Sequence, residues 1–413
     1  MQGTLIQKCL FRSIPIEGSN KGVNKLSSIH LPVRIEFGLD SSITIGSEFR
    51  SLKCSKVMVV SDKGVINAGL LDKILKSLAD AKVESVLYDN VVPDPDVKCV
   101  EQARDFYISE RCDGILAVGG GSSIDTAKAA GALITNSEPI VSMGGMGKVK
   151  NPLPPLIAIP TTCGTGSEVT NVTVVTDEYH FKVPIISPYL IPKVAVLDPN
   201  LLTSLPPSLV AATGMDALTH AIEALTNKLE NWYADMCAIK AIEMIGKAIR
   251  PAAAGGNVKA LSEMLYASTL AGISFTLSRL GLVHAMSHPI SGFAGVPHGV
   301  ANAILLPYVM SFNLVGNPEG YALVAKALGI VGRSGVLETA KAGVEEVIGL
   351  NHQLGIPKSF KDVGVKENLF PQMITDTFKS GNVAINPRRV SEKDVEIIYQ
   401  ASFAGDSPLL FIE

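Results

Sequence analysis

Residues 113–128 read Asp-Gly-Ile-Leu-Ala-Val-Gly-Gly-Gly-Ser-Ser-Ile-Asp-Thr-Ala-Lys. An apolar run of strand length ends in three glycines, and a helical pattern through Ala127 and Lys128 follows at once. Glycines allow a ligand close to the backbone, and the free amides at a helix start attract phosphate. Working outward, Lys56–Val60 is another buried-strand run, and after Asp62 and Gly64 a helix is expected to about residue 80. Glu84–Tyr88 is a third strand, and a Pro93-Asp94-Pro95 turn leads into a helix ending near Arg111. Leu156–Ile159 and Val194–Leu197 complete the set of strand candidates. Strands alternating with helices of this length predict βαβ units and a parallel, Rossmann-like sheet. From about residue 200 only helical periodicity remains, over 209–225, 235–249, 260–275, 282–291 and 300–312. The expected organisation is a leader over 1–28, an α/β N-terminal dinucleotide-binding domain over 29–199, and an all-α C-terminal metal-binding domain over 200–413.

Composition narrows the class. Charged residues are 18% of the 413, and mean hydropathy is +0.30, values that raise the question of a membrane protein. The uncharged stretch from Leu280 to Pro318 is broken by His284, His288, His298, Pro289, Pro297 and Pro307, so no clean apolar 20-mer results. A net charge of −3 without a Lys/Arg block argues against nucleic acid and polybasic membrane contacts. Cys9, Cys54, Cys99, Cys112, Cys163 and Cys237 form no Cys-x-x-Cys pair, which is the usage of a reducing compartment. Lys8 and Arg12 in an acid-free start suit a short unstructured leader better than a transit peptide, so a cytoplasmic protein is expected.

Two loops and a histidine set carry the chemistry. Pro-Thr-Thr-Cys-Gly-Thr-Gly-Ser-Glu (160–168) follows a second strand and offers hydroxyls on flexible backbone. Two such loops at strand ends favour a bound dinucleotide, although Ser122 or Asp125 as plain turn caps is the simpler reading of the first. Asp62 ends the first strong strand, where a carboxylate accepts from ribose hydroxyls and repels a 2′-phosphate; a helix N-cap is its structural alternative. Asp216 and His220 are four apart on a helix, His284 and His288 repeat that spacing, and His298 follows. One carboxylate and three imidazoles make a site for a borderline divalent metal that stays open to substrate.

At this point the residues resemble the iron-dependent (group III) alcohol dehydrogenases. The likeness is carried by 119–128 and 160–170, by Ala-Thr-Gly-Met-Asp-Ala-Leu-Thr-His-Ala-Ile-Glu (212–223), and by Gly-Leu-Val-His-Ala-Met-Ser-His-Pro (281–289). Pro-His-Gly-Val-Ala-Asn (297–302) and Asn386-Pro387-Arg388 extend it, so that it covers Ile29 to Ala404. The resemblance implies Asp216, His220, His284 and His298 as metal ligands, with His288 a catalytic non-ligand near the nicotinamide. It implies that Asp62, Asp94, Gly120, Gly121, Ser122, Thr161, Thr162, Thr165 and Lys182 touch NAD(H), and Asp125 is grouped with them from the first loop. Phe275 would form the pocket wall. Cys163 replaces a usual Ala, and Arg279 a usual small residue.

The implied activity is an NAD(H)-dependent alcohol dehydrogenase or aldehyde reductase, with Fe²⁺ favoured and Zn²⁺ or Mn²⁺ also suited. A guanidinium at 279, in a stretch otherwise uncharged from 270 to 290, must face solvent, pair with an acid or face the cleft. In the cleft it suits a small aldehyde with a sulfonate, phosphonate or carboxylate tail, such as sulfoacetaldehyde. Short-chain alcohols and diols (lactaldehyde, propanediol or butanol type) and hydroxyacid–oxoacid transhydrogenation are the alternatives. A lyase using NAD transiently would need a Lys/Arg cluster beside the histidines, which these segments lack. The only partners expected are the small substrate and further copies of the chain, as a homodimer or larger.

Overall fold

Strands buried on both faces read as unbroken apolar runs, and this accounts for the central sheet. In the computed structural model, which describes residues 28–412, the strands are β1 (Arg34–Phe37), β2 (Lys56–Val60), β3 (Glu84–Tyr88), β4 (Gly114–Gly119), β5 (Gly145–Met146), β6 (Leu156–Pro160), β7 (Val172–Thr176), β8 (Lys182–Ile186) and β9 (Val194–Leu197). Six of them form a parallel sheet in the order β1-β9-β6-β4-β2-β3. Alternate residues feed separate cores. Val57, Val59, Leu116, Val118, Ile157 and Ile159 enter one, and Met58, Val60, Ile115, Ala117, Leu156 and Ala158 enter the other. The leader expected over 1–28 lies, but for Ser28, outside the described residues.

Around the sheet run α1 (Ile45–Ser51), α2 (Lys63–Asn67), α3 (Asp72–Asp80), α4 (Val97–Ser109) and α5 (Gly121–Thr135). Past residue 202 the described elements are all helical: α6 (Pro207–Thr226), α7 (Trp232–Ala253), α8 (Val258–Ser278), α9 (Leu282–Ala294), α10 (His298–Asn313), α11 (Pro318–Ala327), α12 (Val336–Gln353), α13 (Phe370–Thr377) and α14 (Glu392–Ala404), with short 3₁₀ turns between them. Local chemistry sets their starts. Pro207 occupies the first turn of α6, and Asn231 caps α7 by accepting from the amides of Tyr233 and Ala234. The first of the two cores continues through Met215, Leu218 and Ile222 of α6 and Met286 of α9, so the helices close one face of the sheet. The segment His298–Gly316 is long and apolar enough to cross a membrane by length and composition, yet 78% of it is buried inside the fold. A helix apolar on all sides is here a core helix.

Two expectations need correction. The single helix expected to residue 80 is two, α2 and α3, because the chain turns at Gly69 with φ +68°. The antiparallel hairpin β7–β8 and the edge strand β1 were not expected: β1 is four residues of alternating polarity, β7 interleaves threonines with its valines, and β8 carries Pro184, which reads against a strand.

Strand order places the site. From β2 the chain moves outward to β3, then returns to β4 on the other side of β2 and goes on to β6. The topological switch therefore falls between β2 and β4, whose C-terminal ends carry Asp62 and Gly119–Gly121. The loop after β6 seats on α8 through bare backbone: a Cβ on Gly166 (φ +61°) would lie 2.7 Å from Gly272 Cα and 2.9 Å from Ser268 O. Beside it Thr269 Oγ1 donates to the buried Glu168 carboxylate at 2.8 Å. Gly166→Ala should cost about 1–3 kcal/mol through its left-handed backbone and that contact. Urea and thermal unfolding check this, and midpoints equal to wild type would disprove so close an approach.

Candidate active site

The two loops proposed to hold a dinucleotide pack against each other. Thr161 N donates to Gly119 O at 3.0 Å. A Cβ on Gly120 would meet Thr162 Cγ2 at 3.3 Å, and one on Gly121 would meet Thr165 Cγ2 at 2.7 Å. Helix α5 begins at Gly121 without a side-chain cap, so neither Ser122 nor Asp125 caps the turn and the first amides are left for a ligand. Asp62 caps α2 by accepting from Val65 N at 3.1 Å, and its other oxygen accepts from Ser123 Oγ at 3.2 Å. Asp94 joins the group through its own amide, which donates to Ser122 Oγ at 3.3 Å, and through Lys182 Nζ, which donates to its Oδ1 at 2.7 Å. Asp125 is engaged elsewhere. Its Oδ2 accepts from Val174 N at 3.1 Å, tying α5 to β7, and burial pushes its carboxyl up to about 6.

The histidines converge on α6. Donor atoms of Asp216, His220 and His284 lie within 4.8 Å of one another, all three residues being buried. Nε2 of His220, His284 and His298 stand 3.8, 3.9 and 3.9 Å from Asp216 Oδ1. The donor set fits a divalent cation on a direct observation. Asn302 Nδ2 donates to Asp216 Oδ1 at 2.6 Å and lies 3.1 Å from both His284 Nε2 and His298 Nε2. An amide nitrogen has no lone pair to offer, so both imidazoles face it with theirs, as they would face a cation. Burial lowers the pKa of His284, His288 and His298 well below the usual value, which keeps them neutral donors. Among the described residues, the imidazoles within 4.0 Å of the Asp216 carboxylate are those of His220, His284 and His298; His288, its ring centroid 6.0 Å from that of His284 and 5.3 Å from that of His298, is not one of them.

The pattern of the iron-containing alcohol dehydrogenases matches residues 32–199, and that family's C-terminal pattern matches 210–403. The chain belongs to the iron-containing alcohol dehydrogenase family. It is 40% identical over 373 residues to the 1,3-propanediol dehydrogenase of Citrobacter freundii, covering 89% of this chain and 96% of the relative. A crystal structure of a 1,3-propanediol oxidoreductase superposes with a TM-score of 0.89 at 38% identity, over 92% of this chain and all of that one. That of sulfoacetaldehyde reductase from Bifidobacterium kashiwanohense, in complex with NAD⁺, does so at 0.81 and 29% identity, over 92% and 100%.

Two residues of this alcohol dehydrogenase site were not nominated from the sequence. Glu223 accepts from Val283 N at 2.5 Å and pairs with His284 Nδ1 at 2.6 Å, and burial raises its carboxyl to about 7. Asn302 is the other. Helical spacing could have found both, Glu223 seven residues after Asp216 and Asn302 four after His298. The Phe275 ring lies tilted against that of His220, their centroids 4.6 Å apart, and Arg279 follows one turn later at the end of α8 with φ +66°. Its half-buried guanidinium donates to Asn382 Oδ1 at 3.3 Å, and among the described residues no acid lies within ion-pair distance of it. The pairing reading of Arg279 is thereby corrected.

Removing one imidazole should empty the metal group and spare the loops. His284→Ala and His220→Ala are expected to lose stoichiometric iron or zinc by metal analysis, while NADH fluorescence titration stays near wild type. His288→Gln should keep its metal and lose turnover. Full metal with full turnover in either ligand variant, or metal loss in His288→Gln, contradicts the grouping.

Proposed function

We propose that this enzyme uses NAD(H) to interconvert a short aldehyde bearing an anionic tail with its primary alcohol. The observation that carries the substrate class is Arg279: a half-buried guanidinium with one amide oxygen as partner, held by a backbone conformation rare for any residue but glycine. A planar fork of donors with spare N–H groups suits a sulfonate, phosphonate or carboxylate. Its place one turn beyond Phe275, which touches His220, supports a tail extending from the metal end of the pocket. The 29% identity to a sulfoacetaldehyde reductase is consistent with this reading. A second reading, a short diol or hydroxyaldehyde, has the 40% identity to a 1,3-propanediol dehydrogenase in its favour.

Asp216, His220, His284 and His298 would hold the cation, which when bound supplies Lewis acidity at the substrate oxygen, iron being the family's usual choice. The protein's own groups do the rest. Gly120, Gly121, Ser122 and the 161–165 hydroxyls cradle the dinucleotide, Asp62 faces the adenosine ribose, and Lys182 with Asp94 marks the side near the histidines. Phe275 walls the pocket against water. His288, neutral and half-buried, takes or returns the substrate proton.

Arg279→Ala should lower kcat/KM for sulfoacetaldehyde or succinate semialdehyde by at least tenfold and leave propanal within about threefold, a bidentate charged contact being worth roughly 1.5–3 kcal/mol. Equal losses on both classes, or a wild-type preference for 3-hydroxypropanal, would favour the second reading. Coenzyme choice follows from Asp62, whose carboxylate repels a 2′-phosphate. Wild type is expected to prefer NADH over NADPH in kcat/KM, and Asp62→Gly to narrow or reverse that ratio. Equal use of both coenzymes by wild type would remove Asp62 from the ribose.

A further inference from the structure

We infer that Glu223 is the positioning residue of the metal site, fixing His284 in the one tautomer that can ligate. The two are buried together, their side chains 5% and 1% exposed. The carboxylate oxygens divide between two partners, Oε1 accepting from Val283 N at 2.5 Å and Oε2 meeting His284 Nδ1 at 2.6 Å. His284 Nε2 stands 3.1 Å from the Asn302 amide nitrogen, which can only donate, so the single proton of the neutral ring sits on Nδ1, where Glu223 Oε2 accepts it. The lone pair is then on Nε2, the atom that faces Asp216 and Asn302. The amide of Val283 precedes His284 in the chain, so one carboxylate fixes both the backbone and the ring of the ligand residue. Gly281 makes room for it, since a Cβ there would come within 2.9 Å of Glu223 Oε1 and 3.2 Å of its Cδ. A water-sized cavity beside the carboxylate is bounded by Thr226, Asn313 and Tyr321, and glutamine matches glutamate in size.

Glutamine cannot satisfy both partners. With its oxygen toward Val283 N, its NH₂ donates to His284 Nδ1 and drives the proton to Nε2, which then cannot ligate. With the amide turned round, NH₂ opposes the Val283 N–H. Glu223→Gln should therefore weaken Co²⁺ binding about 10–100-fold in chelator competition and alter the visible Co²⁺ spectrum at saturation. NADH affinity should stay at the wild-type value. Gly281→Ala, which displaces the carboxylate without removing it, should change the Co²⁺ affinity and spectrum in the same way, and it decides the matter if the glutamine variant does not fold. Both variants binding Co²⁺ within twofold of wild type, with its spectrum, would overturn the assignment. It rests on the metal reading, so wild-type protein that binds no Co²⁺ overturns that reading instead.

Discussion

A carboxylate and imidazoles buried in an apolar helical layer have to answer one another's polarity, and the helical half is arranged around that requirement. An isolated buried charge is prohibitively costly, so Asp216 cannot stand alone between α6 and α10. Its oxygen is met by the Asn302 amide, and the Nε2 atoms of His220, His284 and His298 surround it at 3.8–3.9 Å. Because the donors come from α6, α9 and α10, the three helices cannot slide past one another without exposing one of these groups unpaired. The core of Met215, Leu218, Ile222 and Met286 then packs around a geometry chosen by polar atoms.

Much of this could be read in the linear chain. The central strands were legible because burial on both faces leaves runs such as Lys56–Val60 and Gly114–Gly119 almost wholly apolar. The gathering of Asp216 with His220 was legible because a helix returns to the same face after four residues. The two glycine loops announced themselves by composition, and their mutual packing explains why glycine is needed at 120 and 121.

What stayed hidden depends on contacts remote in sequence. Glu223 looks like any acid ending an amphipathic turn until Val283 and His284, sixty residues on, are brought against it. Asp125 belongs to the glycine motif by position, yet its partner is an amide of the β7 strand, which no local pattern announces. The Arg279 conformation is equally long-range. It is secured by Asn227, whose Nδ2 donates to the carbonyls of Ser278 and Arg279 at 2.9 and 3.3 Å. Strand β1 escaped because its RIEF sequence alternates polar and apolar at the sheet edge, too briefly for a pattern to stand out.

Helix α8 meets the 160–168 loop at Gly166–Gly272 and Glu168–Thr269, and it reaches the histidines through Phe275. It works as a spar, with the 160–168 loop bolted at its middle and Phe275 against His220 at its end. That joint is backbone against backbone, whereas at the far end Arg279 meets the 380–382 segment through a side-chain hydrogen bond to Asn382. Side chains at that end can therefore change while the seat of the 160–168 loop on α8 keeps its geometry. Glycines 166 and 272 are bound to a common fate, since a side chain on either one would drive the spar off its seat.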